Sequence, residues 1–183
     1  MSKTTLRVLT ILMAFGLVGL QAAPVSVTGA ENRSQLTPIE KQVRKQLIRL
    51  PFYGVFDYIE FDVRGDKVIL LGEVSRPTLR SSAERIVQRV EGVRAVDNRI
   101  KLLPLSANDS LIRRRLLRAI YGDSVLNRYA AGSNPWIRLI VRNGNVILEG
   151  YVDREADRRI AYIRASGVEG AFSVTSHLRV KQS

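Results

Sequence analysis

The chain has few side chains of the types that perform catalysis, and their spacing does not suggest a catalytic site. His177 is the single histidine of the chain, and cysteine is absent. These counts remove thiol nucleophiles, zinc–thiolate sites and multi-histidine metal sites. Asp57, Glu60 and Asp62 form an acidic cluster, but alternation places Glu60 and Asp62 on the polar face of a predicted strand, where solvated charge is expected. The sequence therefore predicts no catalytic residue, no metal site, no cofactor and no enzyme.

Basic residues carry the stronger chemical signal. The 183-residue chain has 29 Lys and Arg against 17 Asp and Glu, a net charge of +12, and 23 of the basic residues are arginine. This balance favours anionic partners, and arginine suits phosphate and carboxylate groups. The alternative is that the basic residues only form the solvated faces of amphipathic helices. The candidates for contact with an anionic surface are Lys41, Arg44, Lys45, Arg49, Arg113, Arg114, Arg115 and Arg118.

The N-terminal segment predicts the compartment. A basic start, an apolar run over 8–20 and small residues after it make the three-part pattern of a secretory signal peptide. We predict a signal peptide within 1–30, cleaved at 22–30, and a periplasmic or otherwise exported chain. The alternative is a retained membrane anchor, which Pro24 and the polar residues of this stretch disfavour. The expected partner is then anionic lipid or another envelope polyanion, with a further envelope protein as a second candidate, and nucleic acid is not expected.

The remainder of the chain is a tandem repeat. Segment 68–76 matches segment 146–154 at an offset of 78 residues, and further identities keep that register. A shared register of this length is the signature of repeated architecture. The further pairs are Val63 with Val141, Arg64 with Arg142, Arg80 with Arg158, Ala83 with Ala161, Val96 with Val174, and 90–92 with 168–170.

Upstream of the first match, the offset changes. Segment 43–47 matches 112–116 at an offset of 69 residues, so the second copy contains a nine-residue insertion within 121–135. We therefore predict a first domain at 36–104 and a second domain, with the insertion, at 105–183.

Each copy has the same predicted order of elements, α-β-β-α-β. Ile39, Val43 and Leu47 recur at helical spacing, and alternation over 59–63 indicates the first strand of a hairpin. The Asn143–Gly144 pair in the second copy suits a tight hairpin turn. A second helix and a final strand complete each unit, which gives the chain an α+β fold class.

The conserved spacing of glycine and valine resembles the BON domain. The first copy carries the family's hairpin glycine and valine and its Gly-Val-x-x-Val-x-Asn ending, and the second copy matches more loosely. The resemblance implies a three-stranded mixed sheet with two helices on one face in each unit. It also implies a non-enzymatic role in the cell envelope, usually phospholipid or membrane-surface binding in exported, osmotically induced proteins. The matching residues are Gly72, Val74, Gly92, Val93, Val96 and Asn98, and then Gly150, Val152, Gly170 and Val174.

Aromatic residues form a second candidate contact surface. Tyr58 and Trp136 occupy equivalent positions and alternate away from the predicted core side of their strands, and Tyr151 is expected to join them. An apolar patch rimmed by charge on an uncovered sheet is typical of an interaction surface. The alternative is that the two sheets pack on each other. The sequence thus predicts an envelope protein that binds anionic phospholipid or membrane surfaces in envelope maintenance or osmotic stress, or alternatively a periplasmic protein–protein assembly module that uses the open sheet faces.

Overall fold

The computed structural model describes residues 36–132 and 134–181. The predicted signal peptide lies outside the described residues. Within them the chain forms two α+β units that repeat one order of elements, as predicted. No helix in these two stretches has both the length and the apolar character needed to cross a bilayer.

The first repeat comprises two helices and four strands. Its elements are α1 Pro38–Leu47, β1 Tyr58–Arg64, β2 Lys67–Val74, α2 Pro77–Val87, β3 Ala95–Asn98 and β4 Lys101–Leu102. The second repeat adds a 3-10 helix, Leu126–Ala130, inside the segment where the insertion was predicted. Its other elements are α3 Ala107–Tyr121, β5 Ile137–Arg142, β6 Asn145–Val152, α4 Glu155–Ser166, β7 Ser173–Ser176 and β8 Arg179–Val180.

Each sheet is mixed, with the hairpin antiparallel and the last strands parallel to its second strand. β1 pairs with β2, and β2 pairs on its other side with β3 and β4. The second repeat has the same topology, from β5 through β6 to β7 and β8. β1 and β5 are therefore edge strands of their sheets, and β3 with β4, and β7 with β8, form the opposite edges.

The prediction of three strands per sheet needs one correction, because the final strand is broken into two short ones. The chain stays beside β2 through the break, where the Arg99 N–H donates to the Leu70 carbonyl at 2.8 Å. The Asn98 side chain accepts from the Ile100 N–H at 3.2 Å, and Ile100 is buried. In the second repeat, Leu178 is buried at the equivalent break.

The two cores differ in where their residues come from. The first core is built around Val43, Leu47 and Leu70, and all its members belong to the first repeat. The second core is built around Ile112, Leu116, Leu139 and Leu148, but Val55 and Phe56 of the first repeat also pack against it. The second hydrophobic core is thus completed by the first repeat.

One position in each hairpin requires glycine for steric reasons. Gly72 faces Ile59 across the strand pair and Gly150 faces Ile137, with φ values of +114° and +115°. A Cβ at Gly72 would lie 2.1 Å from the Tyr58 carbonyl oxygen, and a Cβ at Gly150 would lie 1.9 Å from that of Trp136. Both the backbone conformation and the close approach require glycine.

Candidate functional site: basic helices and an inter-repeat groove

Helix α1 presents its cations to solvent. It begins with a capping box, in which Thr37 accepts from the Glu40 N–H at 3.3 Å and Glu40 accepts from the Thr37 N–H at 2.6 Å. The apolar face, with Val43 and Leu47, is buried against the first core. The predicted contact residues are all exposed, and none of them belongs to an ion pair formed within the described residues. These residues are Lys41, Arg44 and Lys45 on the helix and Arg49 two residues beyond its end.

Helix α3 divides its four predicted contact residues into two kinds. Arg114 and Arg118 are exposed. Arg113 is half-buried, and its Nη2 donates to the Val141 carbonyl at 2.7 Å. Its Nε is buried without a hydrogen-bond partner among the described residues, and burial lowers the pKa of the guanidinium. Arg115 is held by Glu169, with 2.9 Å from Nη1 to its backbone oxygen and 2.9 Å from Nη2 to its carboxylate. Arg113 and Arg115 are therefore engaged within the fold, and α1 is the stronger candidate surface.

The Arg113→Ala variant is expected to lose about 1–3 kcal/mol of unfolding free energy, because the hydrogen bond to β5 and the packing of the arginine stem are both lost. Arg114→Ala, one residue further on the same helix, is the matched control and should change stability by no more than about 0.5 kcal/mol. Urea denaturation of both variants measures the difference. Equal stabilities would contradict a structural role for Arg113.

A groove of about 690 Å³ lies between the two repeats. We call it the inter-repeat groove. One wall comes from α1 and β1, and the other comes from β5, β6 and β8. The structure brings together all three predicted aromatic contact residues here, along with one predicted basic contact residue and two exposed cations that the sequence did not single out. These are Tyr58, Trp136 and Tyr151, then Arg44, and then Arg179 and Lys181.

Cations stack on the aromatic rings in and beside the groove. The Lys181 ammonium lies 5.3 Å from the Trp136 ring centroid, and the Arg179 guanidinium lies 5.0 Å from that of Tyr151. Trp136 is 42% exposed and Tyr151 is 41% exposed, and both remain accessible from the groove. Tyr58 is half-buried, and burial, with help from Glu60 and Glu149, raises its pKa to about 12. Its hydroxyl therefore stays protonated at neutral pH.

The repeats are joined beside this groove through β5. The Leu139 N–H donates to the Val55 carbonyl at 2.8 Å. Arg138 is buried, donates to the Gly54 carbonyl at 2.7 Å and lies 4.4 Å from the centroid of the Tyr53 ring. Sequence reasoning missed Arg138, although it shares the strand face of Trp136.

The acidic cluster and the histidine have structural contacts. Asp57 is 2% exposed and accepts from the Ser75 N–H at 2.6 Å and the Ser75 hydroxyl at 2.8 Å, so it ties the start of β1 to the end of β2. Glu60 and Asp62 are exposed, as alternation predicts. His177 lies with Nδ1 2.7 Å from a Glu149 carboxylate oxygen. No group of three or more His, Asp or Glu residues within 36–132 and 134–181 could hold a metal ion.

The structure is thus that of a protein with two tandem α-β-β-α-β domains, each beginning with a basic helix, and with the inter-repeat groove between them. The BON domain family matches residues 35–104 and 108–182, and the chain belongs to that family.

No curated protein matches the chain. Among solved structures, it is similar to CdsD, described as a structural protein of the type III secretion system of Chlamydia trachomatis, at 11% identity and a TM-score of 0.32, covering 78% of this chain and 92% of that one. A structure of the C-terminal domain of CdsD is similar at 11% identity and a TM-score of 0.28, covering 81% of this chain and all of that one.

Proposed function

We propose that this protein is an exported, non-enzymatic protein of the cell envelope that binds anionic phospholipid surfaces, in envelope maintenance or osmotic stress. The observation that supports it best is the exposed basic face of α1, whose cations form no ion pair with any residue of 36–132 and 134–181. Lys41, Arg44 and Lys45 are exposed on the helix, and Arg49 is exposed two residues beyond its end. Arg114 and Arg118 of α3 are a second, smaller basic patch.

The energetics favour a surface over a single small anion. Each Lys or Arg near an anionic membrane contributes about 1 kcal/mol of attraction. The α1 cations form no ion pairs within the described residues, so their charges remain available to a membrane. Four such charges give a useful affinity only when the partner presents many anionic groups at once, as a phospholipid bilayer does.

Binding to anionic vesicles is expected to fall steeply between 0.1 and 1 M salt, because the screening length drops from about 10 Å to about 3 Å. Co-sedimentation of the full chain with phosphatidylglycerol vesicles, and with neutral phosphatidylcholine vesicles as control, measures this. Equal binding to both vesicle types, or binding that persists at 1 M salt, would contradict the proposal.

A further inference from the structure

The outer edge of β5 is closed by the protein itself. Along this edge, the Ile137 carbonyl accepts from the Tyr121 hydroxyl, the Leu139 N–H donates to the Val55 carbonyl at 2.8 Å, and the Val141 carbonyl accepts from Arg113 at 2.7 Å. Every second residue of the strand thus finds a partner outside its own sheet. The central contact is made by a turn over 54–57, in which the Gly54 carbonyl accepts from the Asp57 N–H at 3.1 Å.

The equivalent edge of β1 is covered by the described residues only at its first position, Ile59. Ile59, Phe61 and Val63 are the residues 78 positions earlier. The Ile59 N–H donates to the Tyr53 hydroxyl at 3.1 Å, so this residue points its backbone groups away from β2. By the alternation of an antiparallel strand, Phe61 and Val63 do the same. Their outward N–H and C=O groups find no protein partner within the described residues.

The side chains that close β5 are altered or displaced in the first repeat. The residue 69 positions before Tyr121 is Phe52, which has no hydroxyl to donate. The residue 69 positions before Arg113 is Arg44, which is exposed and lines the inter-repeat groove. Within residues 36–132 and 134–181, no backbone N–H or C=O group bonds to the outward side of Phe61 as Val55 does to Leu139.

The open edge lies in the wall of the inter-repeat groove, which Ile59, Glu60 and Phe61 help to line beside Trp136 and Tyr151. A free strand edge provides backbone hydrogen bonds, and adjoining pockets select alternate side chains of an added strand. We propose that β1 binds an extended peptide segment of a partner protein by strand addition, with the side chains of that peptide in the inter-repeat groove. This inference does not depend on lipid binding by α1.

Charge favours an acidic and apolar peptide. Arg44, Arg179 and Lys181 reach the groove as exposed cations. Of the two groove carboxylates, Glu40 accepts from the N-cap of α1, and Glu60 lies 3.6 Å from Arg179. The groove therefore offers net positive charge to carboxylates, and aromatic surface to apolar side chains.

A second copy of the chain fits the edge poorly. Twofold antiparallel pairing of two β1 strands centred on Phe61 would place Glu60 of each copy opposite Asp62 of the other. Like charges directly opposite on neighbouring strands are destabilising. The pairing surface is therefore better suited to a different segment.

The probe is an N-acetylated, C-amidated heptapeptide in which glutamate alternates with valine and tyrosine. Trp136 is the only tryptophan and lies in the groove, so its fluorescence reports binding to the full chain. Two N-methylated versions of the peptide are compared. One carries N-methyl groups on its odd-numbered residues, and the other carries them on its even-numbered residues. Strand addition predicts that one isomer binds about tenfold weaker or worse while the other keeps its affinity, because only one set of N–H groups faces β1. Equal affinity of both isomers, or no binding of the parent peptide, would overturn the proposal.

Variants distinguish this site from the lipid-binding face. Lys181→Glu is expected to weaken peptide binding about tenfold while leaving vesicle binding unchanged, because Lys181 lies in the groove and not on α1. Lys101→Glu, an exposed lysine on β4, is the matched control and should affect neither. If the unsubstituted chain binds the peptide but not anionic vesicles, only the lipid proposal is refuted. Unchanged peptide binding in Lys181→Glu would refute the groove.

Hydrogen exchange tests the edge directly. In the full chain without peptide, the Phe61 and Val63 amides should exchange freely, whereas the Leu139 amide should be protected, and saturating peptide should protect all three. Protection of Phe61 and Val63 without peptide would overturn the proposal, because the edge would then already be occupied by another copy or by another part of the chain.

Discussion

Reversing three cations of the α1 surface is expected to weaken binding to anionic vesicles by more than about a hundredfold. The triple variant is Lys41→Glu, Lys45→Glu and Arg49→Glu. It loses three attractive charges and gains three repulsive ones, each contributing about 1 kcal/mol near an anionic surface. All three side chains are exposed and lie away from the buried Val43 and Leu47, so the fold should survive. Vesicle co-sedimentation at low salt measures the effect.

A control variant with the same change of charge at other positions distinguishes an effect of the α1 surface from an effect of net charge. Lys101→Glu, Arg154→Glu and Arg159→Glu change the charge by the same amount at exposed positions on other parts of the fold. If binding depended only on the net charge, both triple variants would lose it equally, and the α1 proposal would fail. The double variant Arg114→Glu and Arg118→Glu should have an intermediate effect, since α3 offers only two free cations.

Replacing Gly72 by alanine is expected to cost about 3–5 kcal/mol of stability, because a steric overlap with the backbone adds to the strain of about 1–3 kcal/mol at a special backbone position. The new Cβ would lie 2.1 Å from the Tyr58 carbonyl oxygen, and the pair of strands would have to separate to admit it. Thermal or urea unfolding measures the loss. The equivalent Gly150→Ala should behave alike, since its Cβ would lie 1.9 Å from the Trp136 oxygen.

Gly65→Ala is the control in the same hairpin. Gly65 also has a positive φ, +64°, but no atom lies within 4 Å of a Cβ added there. It therefore suffers only the conformational penalty of the left-handed region, about 1–2 kcal/mol. If Gly65→Ala and Gly72→Ala destabilise the protein equally, the close approach of the Tyr58 carbonyl is not the cause.

The sequence predicted the features that repeat and missed those that depend on how the repeats meet. The offset of 78 residues identified the order of elements, the hairpins and the equivalence of Tyr58 and Trp136. Periodicity describes one helix or strand at a time, however, so it treated Arg113 as part of a solvated helix face. Its actual partner, the carbonyl of Val141, lies on a strand edge. That pairing follows from tertiary packing of α3 against β5.

The same limit applies to the aromatic residues and to the ends of helices. Tyr58 and Trp136 were predicted either to face solvent on an open sheet or to lie between packed sheets. They line a groove, because the repeats are joined through β5 and the chain around Val55. Ser106 is the N-cap of α3, whereas the nearby Asp109 is buried and accepts from the Asn143 and Gly144 N–H groups of the hairpin. A short polar residue can serve either role, and only the fold decides.

The packing of Val55 and Phe56 against the second core makes the folding of the second repeat depend on the first. The first core draws only on its own repeat, so its parts are complete once synthesis has passed residue 104, whereas the second core needs side chains made earlier. During synthesis the leading repeat can therefore act as a template on which the trailing one condenses. The two copies are therefore not equivalent, because the second repeat alone would lack the side chains of Val55 and Phe56 that cover part of its core.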